Sequence, residues 1–299
     1  MAVFQDPCAL NNELAAIAER NYGETTERRV SLLKEMRDRI QALPEEKDKL
    51  KDLSDENLIR FLRCRKFDLD RAVKLAVDAK HFYDKNAEVL KNLDGKESIM
   101  FDGELDNFFQ VYRNVDEGGK VVAVVRSSRL VKVFQTELGA KILREDPNAM
   151  LRFLVWLFHN LCRDPHVQVG GLVMLNSFNE CSFYESMSFA NVMTVPQRGI
   201  LIKHLNICGI RMKGMLIFEE PSIISALFFI LKQFMSEKLK KRVQFCGSQY
   251  GAIRKVIEGD LVGLPVLFGG QLDDSMPVDE NSRKSFGAVN RSEDYQWDP

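Results

Sequence analysis

The sequence predicts an α/β fold in which a mainly parallel sheet is flanked by helices and preceded by a small all-helical N-terminal domain. Two observations lead to this expectation. Residues 9–90 carry apolar side chains at helical spacing and show no strand pattern. After residue 95, short continuous apolar runs alternate with helical stretches, which is the order expected of β-α-β units.

The helices of the N-terminal part are marked by signals at their ends. Residues 31–43 form a charged amphipathic stretch, and Pro44 ends it because proline cannot continue a helix. Ser54 is a good N-cap for the next helix, whose apolar face follows at once. Either Asp68 or Asp70 starts a further helix with regular apolar spacing. These segments predict a small helical bundle.

Four apolar runs predict the strands of the second part. They are VVAVVR at residues 121–126, GLVML at 171–175, MLIF at 215–218 and VQF at 243–245. Runs that are apolar at every position, rather than at alternate positions, indicate strands buried on both faces. Such strands are typical of a parallel sheet covered by helices on both sides.

Length and charge bound the organisation of the chain. Its 299 residues suggest about two domains, which we place at residues 1–94 and 95–272, with a loosely ordered tail at 273–299. The formal net charge of −1 gives no overall attraction to nucleic acid. We therefore expect no nucleic-acid partner, and we expect a monomer.

The lack of targeting signals in the sequence leads us to expect a cytoplasmic protein. No segment reaches 18 consecutive apolar residues, so we expect no membrane-spanning helix. The first ten residues lack the charged segment and apolar run of a signal peptide. The six cysteines are scattered and form no CxxC pair, which favours free thiols in a reducing compartment.

Motifs of catalytic and phosphate-binding loops are absent. The sequence contains no GxGxxG, GxxxxGK[ST], GxSxG or HExxH. Glu219 and Glu220 follow a predicted strand, and we interpret them as the acidic start of the next helix rather than as general acids. We therefore expect no catalytic residues, no enzyme activity and no cofactor other than a bound hydrophobic ligand.

One local group of residues has the spacing of metal ligands. Residues 164–165 are expected to end the helix inside this group, and no fourth ligand is near. We therefore interpret the group, and a second isolated pair, as ordinary packed or surface side chains and expect no metal site. The group is His159, Cys162 and His166, and the pair is His204 and Cys208.

The most informative stretch is residues 221–242, where an almost wholly apolar helix runs directly into a cluster of positive charge. At about 100° per residue, its apolar side chains cover an arc roughly 160° wide, wider than the ~100° of an ordinary surface helix. Phe229 lies in the middle of the remaining, weakly polar face. One side of the arc carries Ile223, Leu227, Ile230 and Phe234, and the adjacent side carries Ile224, Phe228, Leu231 and Met235.

A second apolar helix is predicted at residues 150–158, MLRFLVWLF. A helix this apolar and aromatic is either fully buried or lines a site for an apolar ligand. Its candidate wall residues are Met150, Phe153, Leu154, Leu157 and Phe158.

Three blocks of the sequence resemble those of the CRAL-TRIO lipid-binding family. Residues 55–72, DENLIRFLRCRKFDLDRA, resemble the signature LxRFLRARxFD. Residues 221–250 resemble the gate helix and the K(L/I)KxRIxxHG run, with Cys246 in place of the usual histidine. Residues 264–270, LPVLFGG, resemble the LPxxYGG closure, with phenylalanine for tyrosine. Within the family the chain is most similar to the branch containing α-tocopherol transfer protein and cellular retinaldehyde-binding protein.

The resemblance implies a function as well as a fold. It implies that the α/β domain holds one hydrophobic molecule beneath a movable helical gate. It also implies a binding site for the phosphoinositides of a membrane, made of basic residues that are all present here. A polyphosphate headgroup needs several converging cations, and arginine can hold phosphate oxygens through two parallel bonds. The matching residues are Arg65, Arg211, Lys213, Lys238 and Arg242.

The wide arc of the gate helix then divides into two faces. We expect Ile224, Phe228, Leu231 and Met235 to face the cargo. We expect Ile223, Leu227, Ile230 and Phe229 to meet the bilayer during transient visits to membrane surfaces.

Two departures from the family pattern bear on the cargo. Ile210 stands where the phosphatidylinositol-exchange branch has a glutamate, which favours a cargo with little polar headgroup. Asn176 stands where the family often has aspartate. A tocopherol, retinoid, carotenoid or sterol-like molecule would suit an apolar pocket equally. The alternatives are a phospholipid-exchange protein, a lipid-sensing adaptor and, least favoured, an enzyme on a hydrophobic substrate.

Overall fold

The structure, a computed structural model, describes most of the chain between residues 6 and 273. The described residues are 6, 8–44, 50, 53–91, 93, 108–113 and 115–273. The predicted tail at 273–299 therefore lies outside the described residues, apart from residue 273. Among the described residues before 108, the structure contains helices and no strand. These helices are α1 (Asn12–Tyr22), α2 (Thr26–Gln41), α3 (Asp55–Cys64) and α4 (Leu69–Lys85).

Side-chain caps set where these helices begin. Ser54 and Asp68 each accept a hydrogen bond from the backbone N–H three residues on, which confirms both predicted starts. Thr25 caps α2 in the same way, so this helix begins earlier than the predicted residue 31. Gly23 ends α1 with a positive φ of 67°, a conformation that glycine adopts without strain.

The second part of the chain alternates strands and helices, as predicted. Its strands are β1 (Phe109–Tyr112), β2 (Val121–Arg126), β3 (Leu172–Ser177), β4 (Met212–Phe218) and β5 (Val243–Gly247). Its first four helices are α5 (Ser127–Gln135), α6 (Glu137–Glu145), α7 (Ala149–Arg163) and α8 (Pro165–Gly170). The next four are α9 (Phe183–Asn191), α10 (Val195–Ile207), α11 (Ser222–Leu231) and α12 (Glu237–Lys240).

The five strands form one sheet in the order β1-β2-β3-β4-β5. The pairs from β2 to β5 are parallel, and β1 alone pairs antiparallel, at the edge. The four predicted runs coincide with β2 to β5, apart from Gly171, which precedes β3, and the run at 121–126 matches β2 fully. The sequence did not predict β1, because an edge strand of four residues produces no long apolar run.

The two faces of the sheet belong to two different cores. One face, which we call the gate side, packs into a core shared with the N-terminal helices, α7, α10 and α11. Ala123, Met174 and Ile217 lie on this side. The other face packs against residues from the C-terminal end of the described chain, such as Ile253 and Phe268.

The buried Arg63 belongs to an ion pair within the N-terminal helices and also joins them to the second part by a hydrogen bond. Arg63 on α3 donates through Nη2 to Glu24 Oε1 at 2.7 Å, and both side chains are almost fully enclosed. Arg63 Nη1 donates to Gln168 Oε1 on α8, also at 2.7 Å. Arg29 on α2 approaches the same Glu24 oxygen at 3.3 Å. Glu24 is therefore the counter-charge of Arg63, and Arg29 shares it while also pairing with Asp6.

The apolar helix at 221–235 is shorter than the sequence predicts. We expected one continuous helix through Met235, which is wrong, because α11 ends at Leu231 and a 3₁₀ helix (Lys232–Phe234) follows. Phe234 packs closely against α10 at this break: a Cβ on Gly199 would lie 3.0 Å from the Phe234 ring, so a larger residue there would make the ring shift by a few tenths of an ångström. Met235 is then extended, which allows Ser236 to cap α12.

Candidate functional site

Helix α11 lies over the gate side of the sheet with its predicted inner face turned inward. Ile224 and Leu231 are buried, and Phe228 and Met235 are half-buried. The Phe228 ring meets the ring of Phe245 on β5 edge-on, with centroids 4.9 Å apart. The inner face of α11 therefore reaches the sheet at β5 through the Phe228 ring. That these four side chains contact a cargo stays a prediction.

The outer face of α11 is apolar and exposed. Phe229 is 75% exposed and Ile230 is 47% exposed. Ile223 and Leu227 are half-buried. A protein gains nothing in water from exposing a phenylalanine, so such a face is typical of a surface that meets an apolar partner. Contact of these residues with a bilayer stays a prediction.

The space beneath α11 is incompletely sealed. Val125, Asn176, Met215 and Phe245 all lie on the gate side, and each is only partly buried. The strands β2, β3 and β4 have neighbours on both sides and helices above this face, so their side chains are normally enclosed. Their partial exposure indicates an opening between sheet and helices, which we call the gate-side cleft.

The second apolar helix, α7, is mostly packed into the core. Met150, Phe153, Leu157 and Phe158 are at most 5% exposed, and Leu154 is half-buried. The structure thus places four of the five candidate wall residues among other side chains. Their contact with a ligand stays a prediction, and Leu154 is the one with accessible surface.

The predicted basic residues come from four separate segments. Arg65 follows α3, Arg211 and Lys213 lie at the start of β4, Lys238 lies on α12, and Arg242 precedes β5. β4 and β5 are adjacent and parallel, so their N-terminal ends lie side by side. Because α12 follows the break at the end of α11, the cluster lies at the C-terminal end of the gate segment.

Electrostatic coupling shows that these cations are close together. Burial, followed by the charges of Arg211 and Arg242, lowers the pKa of Lys213 from its ordinary 10.5 to about 8. Burial, followed by the charge of Arg242, lowers the pKa of Lys238. The nearby charge of Arg65 acts on Lys238 in the same direction. The positive charges therefore lie close enough to disfavour the protonated form of their neighbours.

No carboxylate within the described part of the chain forms an ion pair with these residues. Lys66, which the sequence reasoning missed, also lowers the pKa of Lys213 and extends the group. Like charges held together without counter-charges favour binding of an anion from outside the chain. We call this group the basic cluster: Arg65, Lys66, Arg211, Lys213, Lys238 and Arg242.

The inner part of the basic cluster is held by backbone and aromatic contacts. Arg211 donates to the carbonyl oxygens of Gln168 and Val169, and its guanidinium lies over the Tyr22 ring, 5.0 Å from the centroid. Its Nε is buried and has no hydrogen-bond partner among the described residues, and the same is true of Arg65 Nε. Both guanidinium groups therefore keep donors available.

Backbone geometry also shapes the cluster. Lys66 and Phe67 both have positive φ, 56° and 60°, which non-glycine residues rarely adopt. Gly171, with φ of 87°, lies close to the start of β4, because a Cβ there would be 2.7 Å from the Arg211 carbonyl oxygen and 2.9 Å from the Lys213 side chain. The strained turn therefore carries one cation of the cluster, Lys66, and the glycine lies against two others.

A pair of exposed aromatic residues was not predicted from the sequence. Phe183 is 70% exposed and Tyr184 is 81% exposed, at the start of α9, which packs against α11. Two adjacent aromatic residues directly after the helix cap Ser182 were the available signal, since such a position is open to solvent. They are exposed apolar side chains on a helix that packs against α11.

The histidines and acidic residues set aside in the sequence have structural partners. His204 Nε2 lies 3.1 Å from the Tyr83 hydroxyl, and burial lowers the pKa of His204 to about 3. Burial also lowers the pKa of His159. Asp164 caps α8, which separates His166 from α7 as expected. Among the described residues, no three His, Cys, Asp or Glu side chains are placed to hold a metal ion.

Glu220 serves the sheet rather than the helix that follows it. Its carboxylate accepts a hydrogen bond from the backbone N–H of Gly247 at the end of β5, at 3.1 Å. The interpretation of Glu220 as the acidic start of α11 is therefore replaced by a link between two strand ends.

In the part of the chain that the structure describes, no helix has the length and apolarity needed to cross a membrane.

Comparison with known proteins gives one family. The model of the CRAL/TRIO domain matches residues 105–270. The human protein "Alpha-tocopherol transfer protein-like" is 27% identical over 263 residues, which cover 88% of this chain and 71% of that protein. Clavesin-1 of Xenopus laevis is 23% identical over 219 residues, covering 73% of this chain and 61% of that protein.

A solved structure supports the fold. The crystal structure of Sfh5 superposes with a TM-score of 0.52 at 12% sequence identity, covering 87% of this chain and 92% of that chain. At this identity the likeness concerns the fold alone. Together with the sheet described above, it confirms the predicted arrangement of helices and mainly parallel strands.

Proposed function

The chain belongs to the CRAL/TRIO family of lipid-binding and transfer proteins, and from that premise we propose that it carries a small hydrophobic lipid and releases it at membranes rich in phosphoinositides. The carrier holds its cargo in the gate-side cleft, beneath α11. A tocopherol, a retinoid or a similar isoprenoid has the required apolar character. The protein is a cytoplasmic monomer that visits membranes and catalyses no reaction.

One observation carries this proposal: two cations of the basic cluster, Lys238 and Arg242, lie in the same continuous segment as the apolar gate helix. Lys238 follows the end of α11 by only a few residues, across the 3₁₀ helix. An anion bound by Lys238 and Arg242 therefore acts on the C-terminal end of the gate helix α11. Neither the cations nor the apolar helix alone would suggest release of the cargo. Because they are joined, docking of the cations on a membrane is linked to opening of the gate helix.

Docking by the basic cluster is reversible. Each cation near an anionic membrane contributes about 1 kcal/mol, so six contribute at most ~6 kcal/mol before competition from salt. The exposed Phe229 and Ile230 supply additional apolar contact. Phe183 and Tyr184 lie on the adjacent helix and enlarge this membrane face. Such a sum suits a carrier that must leave the membrane again.

Opening of the gate follows from differential affinity. A membrane shifts the gate only to the extent that it binds the open state more tightly than the closed state. In the closed state, Phe228 packs on Phe245 and Leu231 is buried. In the open state these apolar side chains would be exposed in water, but not when they meet lipid. The bilayer therefore stabilises the open state selectively.

The composition of the cluster and the cleft favours an apolar cargo over a phospholipid. Ile210, in the position of the phospholipid-exchange glutamate, is buried and apolar. The basic cluster lies where β4 and β5 begin and not in the cleft. We therefore assign the phosphoinositide to docking and a lipid with little headgroup to transport.

A co-elution experiment tests the carrier function. The purified protein is incubated with a cellular lipid extract, separated by gel filtration and analysed by mass spectrometry. We expect about one hydrophobic lipid molecule per chain, because the cleft lies under a single gate. A protein that emerges without lipid from every extract, while remaining folded, would contradict the proposal.

Lys213 makes headgroup binding dependent on pH. Because burial and neighbouring cations lower its pKa to about 8, Lys213 loses its charge as the pH rises from 7 to 9. We expect the affinity for soluble inositol trisphosphate to fall about threefold to tenfold over this range, where the phosphates stay ionised. Titration calorimetry at several pH values measures this change.

The matched control for this prediction is Lys213→Arg, whose guanidinium stays charged throughout. Its affinity should remain nearly constant between pH 7 and 9.

The lowered pKa of Lys213 also makes the stability of the protein without bound anion depend on pH, and this stability changes in the opposite direction to the affinity. The free energy of unfolding of the wild type should rise as Lys213 is neutralised between pH 8 and 10.5. Equal pH profiles for wild type and Lys213→Arg would contradict the assignment.

A further inference from the structure

The first turn of α5 carries backbone donors that the protein itself does not use. The helix begins at Ser127, directly after β2, and the preceding residue, Arg126, supplies no side-chain cap. Within the part of the chain that the structure describes, the backbone N–H groups of Ser127 and Ser128 have no acceptor. The first N–H groups of a helix also carry the positive end of its dipole. Two unused donors therefore lie at a positively polarised helix end.

A small hollow opens beside this turn, and Ser128 borders it. Ser128 is only 4% exposed, and its hydroxyl has no hydrogen-bond partner among the described residues. The hydroxyl is not fully enclosed, unlike the unpaired nitrogen atoms of the core, so a molecule in the hollow can reach it. The other polar residues around the hollow come from the ends of β2 and β3 and from α5. They are Arg126, Arg129, Ser177, Asn179 and Glu180.

The charges around the hollow favour an anion. Arg126 donates through Nη1 to Gln110 Oε1 on β1 at 2.5 Å, which holds its guanidinium at the end of β2. Arg129 lies in the first turn of α5. Both arginines have partners within the protein, so they act here as fixed positive charges. Glu180 is the one carboxylate among the residues described around the hollow, and it is exposed, where solvent and salt screen its charge.

We propose that this hollow binds one phosphate group. The phosphate oxygens accept hydrogen bonds from the N–H groups of Ser127 and Ser128 and from the Ser128 hydroxyl. Arg126 and Arg129 balance the charge. The site is separate from the basic cluster, because it lies where β2 and β3 end, whereas the cluster lies where β4 and β5 begin. The inference does not depend on the proposed function.

The phosphate can be free in solution or belong to a lipid headgroup, since both offer the same oxygens. The hollow lies beside the loop that leads from β3 into α9, and Asn179 and Glu180 belong to this loop. The loop ends at Ser182, the cap of the helix that carries the exposed Phe183 and Tyr184. α9 packs against both α5 and α11. The site therefore lies near exposed side chains that we assign to the membrane face.

A phosphate titration of the isotope-labelled full-length protein, followed by nuclear magnetic resonance at constant ionic strength, tests the site. We expect the amide signals of Ser127 and Ser128 to shift and to saturate. Ser128→Ala should weaken the affinity about threefold to tenfold, because it removes a hydrogen bond to a charged group. Glu180→Gln should strengthen the affinity about twofold, because it removes a screened negative charge.

Two controls separate this site from other effects. Ser186→Ala removes a buried hydroxyl that donates to the Ser182 carbonyl oxygen, away from the hollow, and should leave the phosphate affinity unchanged. Reversing Lys238 and Arg242 to glutamate should leave the shifts in α5 unchanged. Wild type whose α5 signals do not saturate would overturn the inference. An unchanged affinity in Ser128→Ala, or a weaker one in Glu180→Gln, would also overturn it.

Vesicle binding identifies the source of the phosphate. Vesicles of phosphatidylcholine with and without phosphatidic acid are offered to the protein with Lys238 and Arg242 reversed, so that the basic cluster contributes little. If adding Ser128→Ala weakens binding to the phosphatidic acid vesicles, the occupant is a lipid phosphate. If it weakens binding of inorganic phosphate alone, the occupant is free phosphate. Either result supports the site, and an effect of Ser128→Ala on neither ligand would contradict it.

Discussion

Reversing the charges of Lys238 and Arg242, by changing both to glutamate, should slow transfer of a bound lipid to phosphoinositide-containing vesicles at least about tenfold. Each charge near an anionic surface is worth about 1 kcal/mol, so removing two attractions and adding two repulsions changes the docking free energy by ~2–4 kcal/mol. Affinity for the cargo in solution should be unchanged, because neither side chain lies in the gate-side cleft. A fluorescent-lipid transfer assay with labelled acceptor vesicles measures the rate.

The matched control reverses two cations elsewhere. Lys141 and Arg144 are exposed on α6 and lie outside the basic cluster, so their change to glutamate alters the net charge equally. This variant should transfer lipid nearly as fast as wild type. Equal slowing in the two double variants would show that net charge, rather than the cluster, governs docking. Unchanged transfer in the Lys238 and Arg242 variant would contradict the mechanism.

Replacing Glu24 with alanine should lower the free energy of unfolding by about 3–5 kcal/mol, because it leaves the buried Arg63 without its counter-charge, while Arg29 keeps its ion pair with Asp6. The Glu24 carboxylate is fully enclosed and pairs with Arg63 at 2.7 Å and with Arg29 at 3.3 Å. Since Arg63 also bonds Gln168 on α8, the loss should loosen the joint between the N-terminal helices and the sheet. Urea unfolding followed by circular dichroism measures the change.

A surface ion pair provides the comparison for Glu24. Glu35 pairs with Arg39 one turn away on α2 at 3.1 Å, and both side chains are about half exposed. Glu35→Ala should therefore cost less than about 1 kcal/mol. Similar losses in the two variants would mean that the buried pair has no special role in stability.

The helices and strands could largely be predicted, because their signals are local. Ser54 and Asp68 are caps that act on their own backbone neighbours, and the run at 121–126 is apolar at every position because β2 is buried on both faces. β1 was missed for the same reason, since an edge strand of four residues has no such run. Local rules thus explain both the successes and this omission.

The break after Leu231 could not be predicted from periodicity. It depends on Gly199, which leaves room for the Phe234 ring, and on Asn206, which is hydrogen-bonded to Ser236. Both partners lie on α10, far away in sequence. The apolar pattern of residues 221–235 is compatible with a longer helix, so only tertiary packing ends it.

The basic cluster illustrates a second limit. Arg65, Arg211 and Lys238 come from distant segments, and nothing in their spacing brings them together. Only the resemblance to a family could suggest the group in advance, and it left out Lys66, which the positive-φ turn after Arg65 places beside Lys213. The exposed position of Phe183 and Tyr184 had a sequence signal in the cap Ser182, but the packing of their helix against α11 had none.

The central claim is that an anionic membrane lipid opens the gate and releases the cargo. The most direct measurement is the rate at which wild-type protein, loaded with one lipid, delivers it to vesicles with and without a few per cent of phosphoinositide at constant total charge. We predict faster delivery to the phosphoinositide vesicles, with the difference abolished by the Lys238 and Arg242 reversal. Equal rates to both kinds of vesicle would contradict the claim.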